Sequence, residues 1–535
     1  MKVYAVVPVG SQVYNISSYV SGIILDSGSI GNVISGGSVA DSYVGENGKM
    51  VLNNGADAQG NTVAYGGLIQ VSQGGTASGT TALLNGSIEV GYGAKVYDTL
   101  VESAGRMTVL SGGTAEDTTI NAAGNVFLSS GAVADTTLIN ANGGLHVYSG
   151  AVASNTTVKQ GGYFGVGAGA TTFSTYIDSA GQLTVWGGGV ANDNEIAQYG
   201  AIILSSGAVA SGTVINDQGG LHVYTGAVAS GTTVKQGGFF GVGSGAATYD
   251  TTIDYAGALT VWGGGVVNGN TINEYGAIIL SSGAVANGTV INSQGGLHVS
   301  SGAVASGTTV KQGGFFGVGG GATTYDTLID YAGSLTVWGG GVVNDNEINQ
   351  WGAILLSSGA VANGTVINPD GGLHIYDGAV AFTTEITSGA KLGIGYGGCV
   401  YNSELANTGM MTFYEGARLD GWNTFEGTVI TSGGVNALGA FIHMELDDRT
   451  AGQEAILDNI GNFYSVSRYS VEVDLAQALG TYDLADGASA FGERVTLYVG
   501  EGNDCGTLAA GEYLDYNGRR YALENNNGTL ALKIS

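Results

Sequence analysis

The stretch "GGLHVYTGAVASGTTVKQGG", Gly219 to Gly238, stands almost unchanged at Gly143 and at Gly295, with a degenerate fourth copy at Gly371. Between copies the landmarks keep one interval. His146, His222, His298 and His374 are 76 residues apart, and so are Trp186, Trp262 and Trp338, and Lys159, Lys235 and Lys311. Each 76-residue block, from 143 to about 390, divides into units of 18, 20, 19 and 19 residues. A unit opens on Gly, runs through a short apolar strand, turns at Gly and ends in a second strand. Older copies lie upstream, such as "IQVSQGGTASGTTA" from Ile69 and "MTVLSGGTAEDTTI" from Met107. A fixed period near twenty residues marks a solenoid, in which each unit buries its apolar face only against the next.

The solenoid is all-β. With 98 Gly in 535 residues, helices are disfavoured, and the apolar residues alternate instead of recurring at helical spacing. Strand–turn–strand coils stacked in parallel satisfy the pattern. At the strand spacing of about 4.8 Å, residues 11–430 predict roughly 22 coils and a rod of about 105 Å. Val147, Ala151, Ala153 and Val158 are the expected inward positions of one coil. Ser, Thr, Asn, Gln and Tyr are expected outside, where hydroxyls and amides can stack in ladders. Residues 1–439 form the expected parallel β-helix domain, its first strand in "VYAVVPVG". Near Gly439 the texture changes. Six of the seven Arg lie from Arg418 onward, and Asn-Gly hairpin signals appear in "LDYNGRRYAL" and "LENNNGTLALKI". Residues 440–535 are therefore expected to be a C-terminal antiparallel β module that caps the exposed edge, with a separate binding module as the rival reading.

A net charge of −28, with no Arg between Met107 and Ala417, is wrong for a nucleic-acid or anionic-membrane partner. No apolar run is long enough for a transmembrane helix, and no export signal is recognisable at the N-terminus. Cys399 and Cys505 are too few for a disulfide framework, and whether they pair is open.

Sites of unique chemistry are hard to find. Strings such as "GVGSGA" lack the following helix that a phosphate loop needs. "NDNE" at Asn192 and Asn344 becomes "NGNT" at Asn268, losing both carboxylates, so a polar turn is expected there in place of calcium. His146, His222, His298 and His374 lie four coils apart, about 19 Å, too far to share a metal. Asp178, Asp254 and Asp330 are copies of one another and cannot form a catalytic pair. Threonine recurs too seldom for an ice-binding ladder. No catalytic, metal or cofactor residue is therefore expected. Tyr148, Tyr199, Tyr224, Tyr275 and Trp351 suit packing against neighbouring coils, with stacking on sugars as the rival reading.

"VLSGGTAEDTTI" (Val109–Ile120), "VSQGGTASGTTA" (Val71–Ala82) and "LSSGAVADTTLI" (Leu128–Ile139) resemble the strand–loop–strand repeats of AIDA-type autotransporter passenger domains. The resemblance covers most of residues 11–430. It implies a right-handed parallel β-helix at the surface of a Gram-negative cell, with roles in adhesion, autoaggregation and biofilm contact. It also implies heptose on repeat hydroxyls, for which Ser111, Ser129, Ser130, Ser149, Ser206, Ser282, Ser301 and Ser358 are the candidates. The family's C-terminal membrane barrel is not visible: the chain ends "ALKIS".

The expected function is that of a secreted or surface-displayed, outer-membrane-associated adhesin, not an enzyme. It would hold surface glycans or proteins of host or bacterial cells, and its own copies, through many weak contacts. A polysaccharide-degrading β-helix enzyme and a glycan-bearing structural spacer are the alternatives.

Overall fold

One 19-residue unit shows how the fold is built. Phe239–Val242 is a four-residue strand, Ala247–Tyr249 and Thr252–Ile253 follow, and Ala258–Val261 begins the next turn directly against the first strand. Three corners link them, and each needs a residue with φ > 0. At the first, every nineteenth residue from Gly36 to Gly416 is Gly with positive φ. At the second, from Asp41 to Gly421, the residues are mostly Gly, Asp or Asn, which tolerate αL at low cost, with Ser174, Thr136 and Thr383 the exceptions. "NDNE" and "NGNT" lie here. Asp193, Gly269 and Asp345 all have φ between 53° and 64°, so the corner accepts either residue and the carboxylate is dispensable. The third corner, from Gly28 to Gly389, is the permissive one and admits Ala, Gln, Tyr and Trp.

The computed structural model describes the backbone of Ala5–Val6, then residues 12–535 apart from Ser358, Asp377 and Glu501. By contacts the chain forms two compact units, Met1–Asn270 and Thr271–Ser535. In the first, Ala5–Val6 pairs with Ile23–Ile24. The rest of the expected first strand lies outside the described residues. From there parallel coils repeat with constant register, four-residue strands forming one sheet (Leu68–Val71 on Ser87–Val90) and the paired short strands another (Thr76–Ser78 on Lys95–Tyr97). The second unit repeats the design from Thr271.

Inside the coils, Val147, Ala151, Ala153 and Val158 are buried as expected. Amide ladders also form as expected: Asn140 Nδ2 donates to Asn121 Oδ1 at 2.8 Å, and Asn368 Nδ2 to Asn349 Oδ1 at 2.7 Å. One set of polar residues expected outside is inside. Every nineteenth residue from Ser42 to Ser403 is Ser, Thr or Asn, and all are buried. This position directly follows the second corner, where the chain is turning inward and a short side chain fits.

In the second unit, parallel pairing continues past residue 440. Phe441–Glu445 pairs with Arg468–Val473, which pairs with Val495–Val499. Antiparallel pairing follows in a four-stranded sheet ordered Gly480–Ala485, Thr529–Ile534, Arg519–Asn526, Tyr513–Tyr516. Its two hairpins turn at Asn517-Gly518 and Asn527-Gly528, each with positive φ at both residues, as the Asn-Gly signals predict. Cys399 and Cys505 are free thiols, so the pairing left open by the sequence does not form.

Candidate functional site

The outward surface of each unit is organised in columns, because equivalent residues of successive coils lie one strand spacing apart. The column just before the all-Gly corner holds the serines. Ser111, Ser130, Ser149, Ser206, Ser282 and Ser301 each immediately precede an αL glycine and are exposed. Ser129 is one residue further back and half-buried; Ser358 lies outside the described residues. A Cβ on Gly150 would come within 2.7 Å of Ser130 Oγ, and one on Gly169 within 2.9 Å of Ser149 Oγ. The glycine column therefore keeps the space in front of these hydroxyls open.

The neighbouring column carries aromatic side chains. In the first unit Tyr148, Trp186, Tyr224 and Trp262 recur at every second coil, 41–53% exposed. Gly167 and Gly243 separate members of each Tyr–Trp pair. In the second unit Trp338, Tyr376 and Tyr414 repeat the pattern. Two coils span about 9.6 Å. The tryptophans reach with their ring edges over glycine floors. A Cβ on Gly165 would come within 2.8 Å of the Trp186 ring, and one on Gly241 within 2.7 Å of Trp262. Each ring extends a cluster along the sheet: His146, Tyr163 and Trp186, with centroid steps of 5.6 and 6.3 Å, then His222, Phe239 and Trp262. In the second unit His298, Phe315 and Trp338 repeat it. Burial lowers the pKa of His146 and His222.

Thus the five candidate aromatics, all exposed, fall on two surfaces. Tyr148 and Tyr224 belong to the two-coil column. Tyr199, Tyr275 and Trp351 occupy the third corner, with φ of 68°, 57° and 59°. An aromatic residue in αL is uncommon. The tryptophans of the two-coil column share the 76-residue interval of Tyr148 and Tyr224. The signal that joins them is the 38-residue offset between Tyr and Trp, legible only once the 19-residue register is known.

A second group lies in the last parallel coils. His443 is buried, with Nδ1 2.8 Å from Ser470 Oγ and Nε2 3.2 Å from Glu472 Oε2 and 3.5 Å from Glu445 Oε1. Burial, then the charges of Glu445 and Asp448, push the nearby Glu426 carboxyl up to about 7. These residues lie outside the repeats, so no periodicity marks them in the sequence.

Among known proteins, the family described as "Adhesin of bacterial autotransporter system, probable stalk" matches residues 87–143. The crystal structure of a TibC-catalysed, hyper-glycosylated TibA fragment is 30% identical in sequence, over 59% of this chain and 96% of the fragment, with a TM-score of 0.38. PfbA, a surface adhesin of Streptococcus pneumoniae, is 7% identical with a TM-score of 0.10, over 89% of this chain and 90% of its own. A mutant of the periplasmic alginate epimerase AlgG is 11% identical with a TM-score of 0.09, over 82% and 78%. Those last two scores bear on neither fold nor function. No curated protein matches the chain. Among the described residues no helix is long and apolar enough to cross a membrane. The repeat match within Ser87–Gly143 and the sequence identity across nearly the whole TibA fragment identify the chain as an adhesin-like member of the AIDA-type autotransporter passengers, a family of the cell surface and its surroundings.

Proposed function

We propose that the chain is a multivalent, non-enzymatic adhesin held at the outer membrane, and that its contacts are made by the outward columns. The observation that supports this most directly is the recurrence of exposed aromatic rings two coils apart, from Tyr148 to Trp262 in the first unit and from Trp338 to Tyr414 in the second. Rings about 9.6 Å apart offer successive stacking platforms to an extended glycan. The partners are glycans or proteins on host or bacterial surfaces, and further copies of the chain. Individually weak contacts sum to avidity. The eight candidate serines, Ser111 through Ser358, are the proposed carriers of O-linked sugar, and residues 440–535 are the proposed cap.

Deletion of one block, residues 219–294, tests this reading. Adhesion or autoaggregation of displaying cells should fall in proportion to the aromatics removed. All-or-none loss would point to a single unique site instead. Intact mass of the surface-recovered protein separates the glycan-bearing state from the bare one, through regular hexose- or heptose-sized increments. Reducing-end release from a glycan panel would instead support an enzyme. Loss of cohesion with host binding intact would support a spacer.

A further inference from the structure

We propose that His443, Glu445 and Glu472 form a binding site for a divalent transition-metal ion of zinc-like preference. The register builds the site. His443 and Glu445 are two residues apart on Phe441–Glu445 and so face the same way, and the adjacent strand sets Ser470 opposite His443 and Glu472 opposite Glu445. Like charges directly opposite each other in a ladder are unfavourable. Here both carboxylates converge on the imidazole, and the three donor atoms lie within 4.8 Å of one another.

The spacing suits a metal. Donors at about 2.0–2.1 Å from a tetrahedral ion are about 3.3–3.4 Å from each other. His443 Nε2 stands 3.2 Å from Glu472 Oε2 and 3.5 Å from Glu445 Oε1. The donors are also held in place from behind. Ser470 Oγ engages Nδ1, and the Gly502 N–H donates to Glu472 Oε1 at 2.8 Å, leaving Oε2 to face the imidazole. Such backing orients metal ligands. The Arg449 guanidinium donates to the main-chain carbonyls of Glu426 and Glu454. Asp447 and Asp474 add to the negative field. Glu445 and Glu472 are part-exposed while His443 is buried, so an ion has a path in. Three protein donors leave a position for water or for a donor from a ligand. The competing arrangement is a protonated imidazole bridging the two carboxylates with no metal.

The test uses the full chain, stripped with chelator and titrated with Co²⁺ and then Zn²⁺. We expect Co²⁺ to saturate at one equivalent with the intense visible bands of a four-coordinate site, and Zn²⁺ to displace it. Glu445→Gln and Glu472→Gln should each abolish the bands, and Ser470→Ala should weaken binding about 10–100-fold. Should a variant at buried His443 fail to fold, Glu445→Gln decides, with circular dichroism confirming its coils. Absence of saturable binding in the unaltered chain would overturn the proposal. So would binding that Glu445→Gln leaves unchanged, or uptake of Ca²⁺ in preference to Zn²⁺.

Discussion

At the scale of single residues, glycine does two different jobs. In the first corner it supplies a backbone conformation. Beneath the tryptophans it supplies room. Gly165, Gly241 and Gly317 form the floors on which Trp186, Trp262 and Trp338 lie. Gly241→Ala should therefore displace a ring and leave the coil intact. The atoms met are the far edge of a movable side chain, so the cost is that of an off-rotamer tryptophan, about 0.5–1.5 kcal/mol. A shift in tryptophan emission with a near-native unfolding midpoint is the expected signature. Gly105→Ala is the contrasting case: its Cβ would stand 2.1 Å from the Ala82 carbonyl oxygen. That clash is with backbone, and a loss of about 1–3 kcal/mol is expected from denaturant unfolding.

At the scale of the element, the coil's anatomy follows from three αL corners and one buried polar position. Many hydroxyls of that column, including Thr213 Oγ1 and Thr232 Oγ1, have no hydrogen-bond partner. Replacing a buried, unpaired hydroxyl by a methyl of the same shape is neutral or favourable. Thr213→Val should hold or raise the unfolding midpoint; a loss above about 1 kcal/mol would mean that the hydroxyl is satisfied by water. The strand–turn–strand coil, its period and its inward Val147 and Ala153 were legible in the sequence, because burial on a stacked coil imposes a strict alternation. The inward threonine was not. Thr156 and Thr157 are adjacent and chemically alike, and only the corner at Asn155 decides that the first turns in. The serine column could be found from its place before Gly. The division of the aromatics could not, since Tyr148 and Tyr199 obey the same period on different faces. His443 lies beyond the repeats, and its carboxylate partners meet only through strand register.

At the scale of the whole molecule, acidity and repetition act together. A net charge of −28 keeps a chain rich in exposed rings soluble. The imidazoles set a lower pH limit. Burial holds His146, His222 and His374 below the ordinary histidine value, so below about pH 6.5 the unfolded chain takes up more protons than the folded one. The stability these groups contribute is full above that value. It is lost as pH falls from the unfolded value through the folded ones. Melting temperature should therefore drop between pH 7 and pH 5, and His146→Gln with His222→Gln should flatten the drop. An unchanged slope would assign the acid sensitivity to carboxylates instead.

The constant register also has a genetic consequence. Nearly identical tracts in one gene are prone to unequal recombination, which adds or removes a copy. Most proteins would lose their reading of the fold when that happens. Here a copy of 76 residues is a whole number of 19-residue turns and of 38-residue aromatic intervals, so every gain or loss leaves the corners, the serines and the rings in phase. Lineages can thus drift in valency by copying errors alone, with no new folding problem to solve.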